Sequence, residues 1–112
     1  MQAERFEEAV GLFRRAVDLG LPDNLLFKTL WEIGRLEKKL ERYAAALAVY
    51  TDLAAGKNPY RVAALEELAK YYERRERNHA MALEMTRSAL ALEDNEPLRR
   101  REQRLKTRLG RG

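Results

Sequence analysis

The chain has 112 residues, 46% of them hydrophobic, which suits one domain able to bury about two thirds of the surface its unfolded form exposes. It contains no cysteine, which excludes a disulfide framework and a thiolate metal site and fits a reducing cytoplasm. The formal charge of +4 is uneven: residues 99–112 carry seven basic groups against the single acid Glu102, leaving 15 basic and 17 acidic groups elsewhere, so the basic character belongs to the tail.

Helical periodicity runs through the chain and nothing alternates as a strand does. The first predicted helix, 3–19, opens on the acidic, amphipathic stretch MQAERFEEAVGLF and stops at Gly20. The second, 23–40, follows Pro22, with Asp23 placed to cap its first backbone amides and Leu26, Leu30, Ile33 and Leu40 on one stripe beside Gly34. The third, 42–55, closes at Gly56. Asn58 and Pro59 open the fourth, 59–76, where a proline in the first turn costs no hydrogen bond; its stripe is Val62, Leu65, Leu68 and Tyr72. Asn78 is the expected cap of the fifth, 78–92. The sixth, 96–109, has only Leu98, Leu105 and Leu109 as an apolar line and reads as a lid with a solvated outer face, supported by Glu96–Arg100 and Glu102–Lys106 pairs four residues apart. Loops this short place consecutive helices antiparallel, and no Ser-, Gly- or Pro-rich linker marks a domain boundary. No stretch approaches the ~20 apolar residues of a membrane span, so a soluble, cytoplasmic protein is expected.

One pattern recurs three times: a ring residue, a small residue three places on, a larger one four further, then a small or apolar one. It reads Phe6, Ala9, Phe13, Ala16; then Tyr43, Ala46, Tyr50, Leu53; then His79, Ala82, Thr86, Ala89. The copies start 37 and 36 residues apart, and Pro22, Pro59 and Pro97 follow them. A period of that size signals a repeat architecture. Within it Gly34 stands mid-helix, which costs about 1 kcal/mol relative to alanine. Close approach of two helix backbones would offset that cost.

The arrangement resembles the tetratricopeptide repeat, a helix-turn-helix unit of about 34 residues. The best copy runs from Phe27 to Pro59, with Leu30, Ile33 and Gly34 on its first helix and Tyr43, Ala46 and Tyr50 on its second. The next carries Leu65, Leu68, Ala69 and Tyr72, then Ala82, Thr86 and Ala89, with one extra residue in the turn ERRERN. Glu37 stands where the family has tyrosine, Thr86 where it has an aromatic, and Trp31 one place after its tryptophan. The resemblance implies an all-α array of about two and a half repeats in one domain spanning 1–112. Its parts are a half repeat 1–20, repeats 23–56 and 59–92, and a capping helix 96–109; the function it implies is a protein-binding scaffold. Residues 65–90 also resemble the C-terminal helical region of bacterial proteins that carry a ribonuclease H-like exonuclease domain. That domain's acidic metal-binding motifs are not in this sequence, so this second resemblance implies an accessory nucleic-acid module, not a nuclease.

Candidates for catalysis are few. His79, the one histidine, takes the slot of Phe6 and Tyr43 in the other copies, which points to packing. One histidine without cysteine offers neither a nucleophile–base pair nor a metal-ligand cluster. Glu7–Glu8 and Glu66–Glu67 are adjacent and so diverge on a helix, while Glu73 and Glu76 sit at a solvated helix end. We expect no enzyme activity, metal or cofactor.

Binding offers more. In stacked helix pairs the first helices line the concave face, where the off-stripe positions are Lys28, Trp31, Arg35 and Lys38, then Ala63, Glu66, Lys70 and Glu73. A tryptophan flanked by cations suits an extended acidic or aromatic peptide; the competing reading is that Trp31 is core, packed on Tyr71 or a neighbouring helix. The alternative partner is nucleic acid, contacted through Arg99, Arg100, Arg101, Arg104, Lys106 and Arg108, although no aromatic interleaves them to stack on bases. A solvated cap or an acidic protein surface accounts for the same charges. A third expectation is a homodimer through the first helix, by its apolar face of Phe6, Val10, Phe13 and Val17.

Overall fold

The computed structural model describes residues 2–111, which form six α-helices and no strand. They are α1 (Gln2–Leu19), α2 (Asp23–Lys39), α3 (Tyr43–Ala54), α4 (Arg61–Arg74), α5 (His79–Leu92) and α6 (Glu96–Arg111), each starting and ending within two residues of its predicted bounds. The chain divides into two compact units, the first ending at Tyr60 and the second starting at Arg61. In the first, α1 packs on α2 and α2 on α3; in the second, α4 packs on α5 and α5 on α6.

Side-chain pairs fix the directions. Phe6 meets Lys39 while Arg14 meets Glu37, so α1 and α2 run oppositely. Likewise His79 lies against Arg108 and Arg87 against Glu102, which makes α5 and α6 antiparallel.

The helix ends explain most of the punctuation. Gly20 ends α1 in the left-handed region at φ 98, where glycine alone pays no Cβ penalty. Asp23 does not cap α2 as predicted; the Pro22 carbonyl accepts from Leu25 and Leu26 N–H, and Asp23 stands inside the first turn as an acid near the positive helix end. Asn78 is the expected cap, its Oδ1 accepting from Met81 N–H at 3.0 Å. Asn95 does the same for α6 through Leu98 N–H, also at 3.0 Å. Pro59 precedes α4 instead of opening it, because Asn58 builds a turn there. Its Nδ2 donates to the carbonyls of Leu53 and Gly56, and its Oδ1 accepts from Tyr60 N–H. Among the described residues two that are not glycine adopt positive φ: Glu41 at 60 and Arg77 at 51. Each stands two residues before a ring of the recurring pattern, Tyr43 or His79, so the second and third copies share the place of a left-handed residue, although the second turn is one residue longer.

The small residues of those two copies are core: Ala46, Ala82 and Ala89 are buried, with Leu53. In the first copy Ala9 and Ala16 are only half-buried. Gly34 does make room for a neighbour, but the neighbour is a ring and not a backbone: a Cβ there would stand 2.8 Å from Tyr50 Cε1. At the slot equivalent to Tyr50 the second unit has Thr86, whose hydroxyl donates to the Ala82 carbonyl at 2.8 Å, and at the slot equivalent to Gly34 it has Ala69, fully buried. Ring plus glycine and threonine plus alanine are two solutions to one packing position.

Candidate functional site

The face of α2 carries four of the predicted binding residues. Lys28, Arg35 and Lys38 are exposed and Trp31 is half-buried. The rings that hold Trp31 are not Tyr71 but Tyr50 and Tyr60: Tyr60 stacks on the indole at 5.5 Å with planes 18° apart, and Tyr50 meets it tilted at 5.6 Å. Tyr50 is buried and locked by Gly34, and Tyr60 is placed by the Asn58 turn. Trp31 is thus both core and surface, a fixed indole with one part open. Arg35, one turn later, is steadied by Glu32 at 2.9 Å; the hydrogen bond and charge of that carboxylate raise the guanidinium pKa. Tyr60 was missed by sequence reading, and the one signal for it was its place directly after Asn58-Pro59.

The other two candidates, Glu66 and Lys70, lie in the second unit on α4. Both are half-buried, and Lys70 pairs with Glu67 at 3.7 Å.

The basic helix α6 is the second candidate, and there the structure sorts the arginines. Arg101 is buried, its Nη1 donating to Glu73 Oε1 at 2.5 Å, and Arg104 donates to both oxygens of the same carboxylate at 2.8 and 3.0 Å. Burial pushes the Glu73 carboxyl up, but the hydrogen bond from Arg104 and the charges of Arg104, Arg101 and Arg74 bring it below its ordinary value. These two cations are occupied in holding α6 to α4. Arg99 chelates Asp94, with Nε at 2.6 Å from Oδ1, and Arg100 pairs with Glu96 as predicted. Glu102 takes Arg87 of α5 and not Lys106. Arg108 Nη1 lies 3.1 Å from His79 Nε2, so His79 is engaged at its helix start. Arg100, Arg104 and Arg108, with Gln103 and Thr107, line one open depression on α6; the Arg111 side chain lies outside the described residues.

Among the described residues no group of His, Asp or Glu could hold a metal ion, and no helix is long and apolar enough to cross a membrane. Every buried side-chain nitrogen and oxygen among them has a hydrogen-bond partner. Comparison with family models, with curated proteins and with solved structures gives no match for this chain.

Proposed function

We propose that the chain is a non-catalytic protein-interaction module of tetratricopeptide-like helix pairs, which takes an extended acidic or aromatic peptide on the face of α2. The observation that carries this reading is Trp31: an indole held against Tyr50 and Tyr60, with Lys28 one turn before it and Arg35 one turn after. A pre-positioned aromatic costs little conformational entropy on binding, and flanking cations add attraction for carboxylates. Support for the repeat reading comes from the left-handed residues Glu41 and Arg77, each two places before its ring, and from the buried alanines 46 and 82. A binder is favoured over an enzyme because the one histidine is engaged by Arg108 and the carboxylate with the strongest arginine clamp, Glu73, is spent on a helix contact.

The test is selection from a random peptide library followed by titration of an enriched peptide. Enriched sequences should be acidic and aromatic. The Lys28→Glu/Arg35→Glu variant, altered only at exposed positions, should keep its melting curve and lose most of the affinity. Unchanged affinity would remove α2 from the site.

A second reading, contact with nucleic acid through α6, is favoured by the depression lined by Arg100, Arg104 and Arg108. Titration with single-stranded and duplex probes at low salt decides it. Phosphate contacts predict binding that weakens steeply as salt rises, and no binding at low salt ends that reading.

A further inference from the structure

The predicted dimer face of α1 is turned inward. Val10 is buried and Phe6, Phe13 and Val17 are half-buried, with Lys39 of α2 over the Phe6 ring. What α1 leaves in solvent is its opposite side, and that side carries two large apolar residues, Leu12 at 61% and Leu19 at 88% exposure. Beside Leu12 is Gly11, in the middle of an 18-residue helix. Unlike Gly34, it has nothing among the described residues to accommodate, because a Cβ there would meet none of their atoms within 4 Å. A mid-helix glycine without an intrachain neighbour is a cost with no gain visible inside the molecule.

We propose that this outer face of α1 pairs with the same face of a second copy of the chain, antiparallel, about a two-fold axis between Gly11 and Leu12. The arrangement of charge argues for that occupant. Helical spacing puts Glu8, Leu12, Arg15 and Leu19 on this one face, and all four are exposed. Reversing the helix about the point between residues 11 and 12 sets Glu8 opposite Arg15 of the second copy and Arg15 opposite its Glu8. The contact thus occurs twice, as a two-fold interface requires. The same operation brings the two Leu12 side chains together beside the axis, and the absent Cβ of Gly11 next to them lets the helices approach. A parallel pairing would instead set Glu8 on Glu8 and Arg15 on Arg15, so the charges select the antiparallel orientation. One helix face per copy is a small interface, and a dissociation constant on the order of 100 µM is expected.

Sedimentation equilibrium and light scattering of the whole chain from about 10 µM to about 1 mM test this. The expected result is a monomer–dimer equilibrium. Glu8→Arg alone and Arg15→Glu alone should each be monomeric, since each sets like charges opposite one another across the axis. Mixed together, they should form a heterodimer, because every cross-pair is then opposite in sign. Gly11→Ala should raise the melting temperature, as a better helix former with open space around it, while weakening association. A concentration-independent monomer overturns the proposal. So does a dimer that survives Glu8→Arg, a mixture that fails to associate, or a Gly11→Ala variant that dimerises like the parent.

Discussion

Helices α1 and α6 are the third helices of their units, one preceding its helix pair and the other following it; each is tied by arginine to a largely buried carboxylate, Arg14 to Glu37 and Arg101 with Arg104 to Glu73, but their apolar seats differ. α1 is the richer in apolar residues, yet Val10 is its one buried side chain among the described residues, and Leu12 and Leu19 face solvent. α6 is among the most charged stretches of the chain, yet Leu98 and Leu105 are fully buried and Arg101 nearly so. Leu105 enters a cluster with Ala82, Leu83 and Tyr72, so three helices meet on it. Two leucines seven residues apart with an ion-paired arginine between them seat a helix better than a wider apolar face with half-covered rings. Where the apolar residues fall, and what anchors the polar ones beside them, decides docking more than how many there are.

The sharpest test of that difference is truncation of the two seats. Leu105→Ala should cost about 4 kcal/mol and Val10→Ala less than half of that, measured by urea unfolding. Equal costs would break the comparison. Next in size is the charge clamp. Glu73→Gln leaves Arg101 buried without its counter-charge and should cost about 3 kcal/mol at neutral pH. Its pH dependence has a definite sign. Because the folded carboxyl is held below its ordinary value of 4.5, the clamp's stabilisation is complete above that pH and fades as pH falls through the depressed value. Glu73→Gln should flatten this acid limb of the stability curve, and an unaltered limb would assign it to other carboxylates.

Overpacking comes third. Ala46→Leu and Ala82→Leu, one in each unit, should each cost about 2 kcal/mol in thermal melts, since both alanines are buried. Melting near the parent's for both would mean that neither helix pair is as closely packed as its buried alanines indicate. The smallest expected effect contrasts the paired slots. Gly34→Ala pushes a methyl against the Tyr50 ring and should cost about 1 kcal/mol net, overpacking outweighing the helix-propensity gain. In the second unit the reverse change, Ala69→Gly, should also cost about 1 kcal/mol, through propensity alone. If Gly34→Ala stabilises, Tyr50 is free to move and the two slots are not distinct solutions.

Helix number and bounds were legible because Pro22, Pro59 and Asn78 mark turns and the apolar spacing holds its period between them. The capping of α6 by Asn95 was equally open to reading, from an asparagine three residues before Leu98. Other features were not legible, for physical reasons. Which arginine of α6 is interior depends on the position of Glu73, on another helix and 28 residues away from Arg101. That Gly34 faces a ring and not a backbone depends on the Tyr50 rotamer, which spacing does not encode. The positive φ of Glu41 and Arg77 falls on residue types that give no warning of it. For Trp31 the two sequence readings, core or exposed anchor, were a false choice, since an indole is large enough to be both.

Trp31 makes the first unit separately observable. It is the one tryptophan of the chain, and the rings against it, Tyr50 and Tyr60, belong to the same unit, whereas Tyr71 and Tyr72 lie in the other. Selectively excited indole fluorescence is therefore a private spectroscopic channel for the first unit, while circular dichroism averages over all six helices. Two probes that the native sequence already contains can tell whether the halves of this molecule melt as one cooperative body or as two.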